Sequence, residues 1–233
     1  MSVIRLLSWN IHGARGIRTR RSLPSICRII ESVNPDIVCL QEVHRRLPWG
    51  SWQNQPARIA SKLGIRTWYM GCLHVGAMGE GLLIGSQFAS TVINRLYLPS
   101  KGEQRGLLTT ELQLSQFQGL TVMCTHWGLT PAERMMQCEA VCVQVNKVNG
   151  PLMLCGDFND GADSPPITGI TARTRLFDAF NDNPVLTYPA DCPTHRIDYC
   201  FASQEISVTS TRVIGTASES DHLALVVDFE MKG

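Results

Sequence analysis

Apolar positions in this chain fall into short continuous runs rather than long helical periods. Ten such runs stand out: "VIRLLSWN", "DIVCLQE", "RTWYMGCL", "EGLLIGSQF", "TVINRLYL", "RGLLTTELQL", "LTVMCTH", "PLMLCGD", "RIDYCFA" and "DHLALVVDFE". Each reads as a β-strand, and about ten strands are too many for one small sheet. "DIVCLQE", "LTVMCTH" and "PLMLCGD" are nearly continuous hydrophobic runs, the mark of strands covered on both faces.

Helical spacing is confined to three places. The clearest is "LTPAERMMQCEAVCVQVNKV", where Thr130 predicts an N-cap, Pro131 suits the first helical position and Glu133 completes a capping box. Cys138, Val141, Cys142, Val145 and Val148 then form one apolar stripe. A second helix is predicted over Leu23–Val33, with Pro35 beyond its end, and a third over residues 56–63, stopped by Gly64. Many strands with a few long helices predict an α/β (α+β) fold: two sheets packed face to face with helices outside. Residues 1–233 show no linker, repeat or low-complexity tract and read as one domain.

The strands end in an unusual way. "LLSW" runs into Asn10, "DIVCL" into Gln41 and Glu42, "LTVMCT" into His126, and "LMLCG" into Asp157 and Asn159. "HRID" puts Asp198 at the start of a run, and "SESDH" puts Asp221 and His222 just before the last one. A buried strand does not keep an unpartnered carboxylate in its middle, but strand ends can meet on one rim of a sandwich. Asn10, Glu42, Asp157 and Asp221 offer hard oxygen ligands, suited to Mg2+ or Mn2+ rather than zinc. An acid left over from metal binding can act as a base on water. His126 and His222 can donate to developing negative charge, and Asp198 can hold one of them protonated and in one tautomer. Metal, water-activating acid and cationic donors together suit hydrolysis of a phosphate ester.

The motifs "SWNIHG", "LQEV", "THWG", "GDFND", "RIDY" and "SDH", in this order across residues 5–229, resemble the endonuclease/exonuclease/phosphatase superfamily. That group includes exonuclease III-like and DNase I-like nucleases, neutral sphingomyelinases and inositol-polyphosphate 5-phosphatases. The resemblance implies a four-layer αββα sandwich of two mixed β-sheets flanked by helices, with Mg2+-dependent in-line attack of water on a phosphate ester. By motif, it puts Asn10, Glu42 and Asp221 at the metal, with Glu42 the direct ligand. Asp157 would deprotonate the water and Asn159 would hold it or a phosphate oxygen. His222, buttressed by Asp198, and His126 would contact the phosphate. His126 stands where exonuclease III-like repair enzymes carry Tyr, and His12 where they often carry an acid, which argues against an abasic-site endonuclease.

Composition narrows the rest only slightly. A formal net charge of +1 gives no strong field to draw nucleic acid, so a phosphodiesterase or phosphatase is favoured over a DNA or RNA nuclease. The substrate is expected to be a phosphoester of a small molecule, lipid headgroup or nucleic acid. A silent binding protein on the same fold would have no need of the intact acid and histidine set. Nine cysteines in odd number, without a CxxC and mostly inside apolar runs, read as structural thiols of a reducing compartment. No apolar run reaches the ~18 residues of a membrane helix, so the expected protein is a cytoplasmic, soluble monomer.

Some polar residues have plainer readings. Asp198 has a plainer reading as a local partner of Thr194 or Arg196, and Asp157 with Asn159 as an Asx-turn. Glu80 stands where some relatives place an acid that pairs with the central histidine, and Arg105 is suited either to phosphate or to bridging strands. His12, His44, His74 and His195 are expected in loops or on the surface. The four-arginine run "RGIRTRRS" is read as a solvated loop that could also contact substrate phosphates, and Trp49 and Trp52 as packed loop residues that could also stack on a base or dip into a lipid interface, with specificity expected from loops near residues 15–22, 48–56 and 162–174.

Overall fold

The computed structural model describes residues 3–18, 21–48, 52–75, 78–115 and 118–232. Trp49 and Arg20 lie outside the described residues. Among the described residues, twelve strands form two six-stranded sheets. The first contains β1 (Ile4–Asn10), β2 (Ile37–Arg45), β3 (Arg66–Val75), β4 (Met78–Ser86), β11 (Ile206–Ile214) and β12 (Ala224–Met231), in the order β11-β12-β1-β2-β4-β3. The second contains β5 (Ala89–Tyr97), β6 (Gly106–Ser115), β7 (Gln118–His126), β8 (Leu152–Asp157), β9 (Leu176–Asp178) and β10 (Asp198–Ser203), in the order β5-β6-β7-β8-β10-β9.

Each sheet is built around one parallel pair, β1 with β2 and β7 with β8, flanked by antiparallel neighbours. That topology places the chemistry. The carboxyl ends of β1, β2, β7 and β8 point to one rim, and the amino ends of the antiparallel strands β10 and β12 reach the same rim. The polar strand ends of the sequence therefore converge although they are far apart in the chain.

Three apolar layers hold the four-layer sandwich together. Between the sheets lie Leu6, Cys39, Leu82, Ile84, Leu108, Val122, Cys155, Val227 and Phe229. Outside the first sheet, α1 (Leu23–Val33) and α2 (Gln55–Leu63) cover Leu7, Trp9, Val38 and Leu40. Outside the second, α3 (Pro131–Val145) and α4 (Pro165–Arg173) cover Leu152, Leu154, Tyr199 and Phe201. The helices start and stop where the local chemistry requires. Asn34 (φ 49°) and Gly64 (φ 64°) close α1 and α2 in the left-handed region. Thr130 Oγ1 accepts from Glu133 N at 3.3 Å and lies 2.8 Å from Glu133 Oε2, to which it donates, while Glu133 Oε1 accepts from the backbone N–H groups of Lys101 (2.7 Å) and Gly102 (2.9 Å), tying α3 to the loop before β6.

Three elements depart from the sequence reading. The β11 segment "ISVTSTRVI" is a full edge strand, unrecognised because Ser and Thr interrupt its apolar pattern and one face is solvated. Strand β9 is only three residues long. Residues 165–173, expected as a specificity loop, form α4 despite Gly169, because the near approach of the Cys138 thiol leaves little room for a side chain there. Seven of the nine cysteines are buried and all are free thiols. No helix among the described residues is long and apolar enough to cross a membrane.

Candidate active site

At the shared rim the backbone leaves ordinary strand geometry at three places. Glu42 sits in a β-bulge of β2 opposite β4, with φ of 53°. The extra residue lets Gln41 stay buried while the next side chain is re-aimed toward β1. Asn159 has φ of 51°, and its N–H donates to Asp157 Oδ1 at 2.9 Å, so the Asx-turn exists and presents both residues to the rim. The turn is pinned by Phe158, fully buried edge-on to Trp127, Tyr199 and Phe201. Gly156 (φ 153°) is needed just before it, since a Cβ there would sit 2.0 Å from the Thr125 carbonyl oxygen.

The third place is the turn after β1. His12 (φ 47°), Gly13 (φ 60°) and Ala14 (φ 60°) are three consecutive left-handed residues. His12 N donates to Asn10 Oδ1 at 3.0 Å, which fixes the Asn10 amide. Its Nδ2 then donates both to Glu42 Oε1 (2.9 Å) and to Asp157 Oδ2 (3.0 Å), joining the two sheets at the centre of the site. Left-handed backbone at non-glycine residues is costly and concentrates where function requires a set geometry.

Around Asp157 the second sheet aligns a row: His126 pairs with Asp157 across β7–β8, and Asp157 with Asp198 across β8–β10. His126 Nε2 is 3.5 Å and His222 Nε2 3.7 Å from Asp157 Oδ2. His222 Nδ1 is 3.0 Å from Asp198 Oδ2, rather than Asp198 bonding to Thr194 or Arg196; Arg196 pairs with Asp178 at 2.7 Å. The His222 ring also packs on Tyr188, centroids 4.9 Å apart, and its carbonyl accepts from Trp9 Nε1 at 2.8 Å. Asn159 Nδ2 donates to the Trp127 carbonyl at 2.9 Å, which leaves its Oδ1 turned away from that bond.

The two histidines are held in opposite states. Burial by itself would lower the His222 pKa, but Asp198 and Asp157 together raise it to about 10, so it is a cation at neutral pH. Burial, then the Arg105 guanidinium and His222, push His126 well below the ordinary range, so it is neutral. Arg105 Nη1 lies 3.0 Å from His126 Nδ1 and 3.3 Å from Nε2; the shorter contact favours Nδ1 as the acceptor, with the proton on Nε2, 3.5 Å from Asp157 Oδ2. Burial raises Asp157 to about 6, offset in part by His222, which places a carboxylate close to neutrality at the centre of the row.

The structure brings together Asn10, Glu42, His126, Asp157, Asn159, Asp198 and His222. Asp221 stands one step out: its Oδ1 is 3.3 Å from His12 Nδ1, so it joins the group through His12. Glu42 offers carboxylate oxygens to a divalent cation, and Asn10, whose Nδ2 rather than its oxygen faces Glu42, holds that carboxylate in place. The Glu42 carboxyl is pushed up by burial and by the neighbouring Glu80 and Asp157, a repulsion that a bound cation would relieve. A tighter group of ligand atoms, Asp157, Asp198 and His222, also lies within 4.8 Å of one another. There, however, His222 is cationic and already bonded to Asp198, so the Glu42 side is the better place for a hard cation.

Several participants are not where sequence reasoning puts them. His44 is buried rather than on the surface: its Nε2 is 2.7 Å from Glu80 Oε2, and its N–H donates to Gln55 Oε1 at 2.8 Å. Glu80 thus takes His44, not the central histidine, as its partner. His12 is half-buried against Asp221, while His195 is exposed as expected. Arg105 serves His126 and Glu103 (2.9 Å) from inside the sandwich. The signal for His44 was present in "LQEVHRR": once Glu42 is a bulge, Val43 and His44 continue the strand.

Comparison with known proteins agrees with this architecture. A family model described as "Endonuclease/Exonuclease/phosphatase family" matches residues 7–222. The YbhP protein of Escherichia coli K12 is 24% identical over 211 residues, covering 84% of this chain and 83% of its own length. An endonuclease/exonuclease/phosphatase from Beutenbergia cavernae superposes with a TM-score of 0.83 at 23% identity, covering 100% of this chain and 72% of that one. The mannosyl-6-phosphatase Bt3783 of Bacteroides thetaiotaomicron superposes with a TM-score of 0.81 at 19% identity, covering 98% and 100%.

Proposed function

The chain belongs to the endonuclease/exonuclease/phosphatase family, whose members are hydrolases acting on phosphate esters, and on that premise we propose that it is a Mg2+-dependent phosphoesterase using in-line attack of water. The observation that carries this reading is the pairing of a near-neutral carboxylate, Asp157, with a cationic His222 and a neutral His126 on either side. Two groups with protonation states driven apart by their surroundings are what acid–base assignment requires.

In this reading Asp157 accepts the proton of the attacking water, its pKa of about 6 leaving it ionised yet basic at pH 7. Asn159 Oδ1 orients that water. His222 donates from Nε2 to a non-bridging phosphate oxygen, with Asp198 holding Nδ1. His126 donates its Nε2 proton to the same phosphate, and Arg105 keeps the ring in that tautomer. Glu42 would hold the cation, its carboxylate fixed by Asn10 Nδ2, with Asp221 linked to the group through His12. When bound there, Mg2+ supplies charge neutralisation of the phosphate. The fold neighbour named a mannosyl-6-phosphatase supports a phosphatase-type substrate.

The test is a panel of bis-p-nitrophenyl phosphate, inositol phosphates, sphingomyelin, single-stranded RNA and plasmid DNA, each with Mg2+ and with chelator. Chelator-sensitive hydrolysis of at least one is expected; hydrolysis of none would end the proposal. Cleavage of DNA or RNA with a steep loss on adding salt would turn it to a nuclease, because such binding releases counterions.

A further inference from the structure

The motif "GDFND" holds an acid, Asp160, for which the proposed reaction has no use. Its carboxylate is already engaged: Oδ2 accepts from Arg134 Nε at 2.7 Å and Oδ1 from Gly161 N at 3.1 Å. The Asp160 carbonyl accepts from the Tyr199 hydroxyl at 3.0 Å. Arg134 belongs to the first turn of α3 and is buried. Its planar guanidinium serves two acceptors at once, since Nη1 donates to the Leu129 carbonyl at 2.7 Å. One side chain therefore ties the loop after β7 to the loop after β8.

These loops leave the strands that end in His126 and Asp157, and Asn159 lies within the second loop. Three links join them. Trp127 N donates to the Asp157 carbonyl at 2.9 Å, which continues the β7–β8 ladder by one rung. Asn159 Nδ2 donates to the Trp127 carbonyl at 2.9 Å, and this bond decides which way the carboxamide faces. Arg134, bonded to Leu129 and Asp160, is the third link and braces the loops beyond the second. Packing does not fix the Leu129 carbonyl, because the Leu129 side chain is 71% exposed. One turn along α3, Gln137 Oε1 accepts from Gly128 N at 2.7 Å and Nε2 donates to the Pro99 carbonyl at 2.9 Å, which ties the first loop to the segment before β6 instead. The spacing that the Asn159–Trp127 bond needs is thus set from outside by Arg134.

We propose that Arg134, paired with Asp160, is a positioning residue for the reaction: it holds the two loops at the distance where Asn159 keeps its bond to the Trp127 carbonyl and turns Oδ1 to the attacking water. This rests on the phosphoesterase reading above and adds to it a residue that touches none of the reacting atoms.

A double-mutant cycle on turnover tests this, with the ester of the panel above that the wild type hydrolyses fastest, at saturating Mg2+. Arg134→Met should lower kcat about tenfold or more and leave KM within about twofold. In an Asn159→Ala background the same replacement should cost less than about twofold, because the group it serves is gone. A brace for the fold in general would cost the same in both backgrounds. That result, no loss in either, or a loss through KM alone overturns the proposal. Arg134→Lys keeps a cation without the fork; it should lose about threefold or more in kcat with the same dependence on background, and it carries the cycle if a melting curve shows Arg134→Met unfolded. Solvent exchange read by NMR supplies an arm without turnover. The Asn159 side-chain amide, identified by its loss in Asn159→Ala, should exchange about tenfold faster in either Arg134 variant. The Phe158 N–H, bonded to the Ile197 carbonyl at 2.8 Å, should keep its rate. Equal acceleration of both groups, or an unchanged Asn159 amide, overturns the proposal. If the wild type hydrolyses no phosphate ester, the catalytic reading fails, and the exchange arm still decides on Arg134.

Discussion

Replacing Asp157 by Asn should remove activity and, unusually, strengthen the metal-free fold. Asp157 is buried, and its pKa stands at about 6 in place of 3.8. The folded state therefore holds this proton more tightly than the unfolded chain does. Between pH 3.8 and about 6 the native protein binds more protons, so stability falls as pH rises through that window and stays low above it. A displacement from 3.8 to about 6 corresponds to about 3 kcal/mol lost at pH 8. Asparagine abolishes that loss. It also forfeits part of two hydrogen bonds, from Asn10 Nδ2 (3.0 Å) and Asn159 N (2.9 Å), and takes one carboxylate from His222. Allowing ~1 kcal/mol for these leaves a net gain of about 2 kcal/mol at pH 8. For a chain of this size that is a rise in Tm of roughly 4–8 °C. The assay is thermal unfolding in EDTA of wild type and Asp157→Asn at pH 4 and pH 8, with turnover measured separately in Mg2+. The variant should melt higher at pH 8, match the wild type or fall slightly below it at pH 4, and turn over ~10²–10⁴-fold more slowly, as for loss of a general base. A variant that melts lower at pH 8, or whose difference in Tm is the same at both pH values, would refute the account of Asp157 as a buried, destabilising carboxylate; near-normal turnover would refute its role as the base.

Mg2+ or Mn2+ should raise the wild-type Tm and restore activity removed by EDTA, and Glu42→Gln should lose most of that thermal response; a full response in the variant would move the cation elsewhere. Asp198→Asn should withdraw the main support of the His222 cation. If the ring returns to the ordinary pKa near 6.5, about 3% remains protonated at pH 8, so kcat there falls on the order of 30-fold and partly recovers at pH 6; a loss independent of pH would show that Asp198 acts on geometry alone. Gly13→Ala should destabilise by about 2–3 kcal/mol, since its Cβ would lie 2.0 Å from His44 Cε1 at a φ of 60°, and an unchanged melting curve would contradict the packing described for that turn.

What the sequence discloses and what it hides divide along a physical line. The buried strands are legible because their apolar runs are nearly continuous, and the helix ends because Pro35, Thr130, Pro131 and Gly64 carry their own conformational preferences. Edge strand β11 is hidden because half of it faces water, and α4 because two prolines and a glycine disguise a helix that α3 stabilises from outside. The site divides the same way. Asn10, Glu42, Asp157 and Asp198 are visible because a charged or amide group closing an apolar strand contradicts the strand's own pattern. His44 and His12 are not visible, and Arg105 and Glu80 are noticed without their true partners, because each gains its meaning across the fold: Arg105 from His126, His44 from Glu80, His12 from Asp221. These partners set protonation and aim rather than contribute reacting atoms. Register then explains why the hidden set is needed. His126, Asp157 and Asp198 lie on one line across three adjacent strands, which crowds two carboxylates and two histidines into a buried row. Such a row would neutralise itself by sharing protons unless something outside it set each charge. Burial, then Arg105, hold one imidazole neutral, Asp198 holds the other cationic against its burial, and Asp157, between them, stays near the middle of the titration range where a base is most useful. Substitutions at Arg105 should therefore change the pH dependence of turnover through His126, although the guanidinium contributes no atom to the reaction.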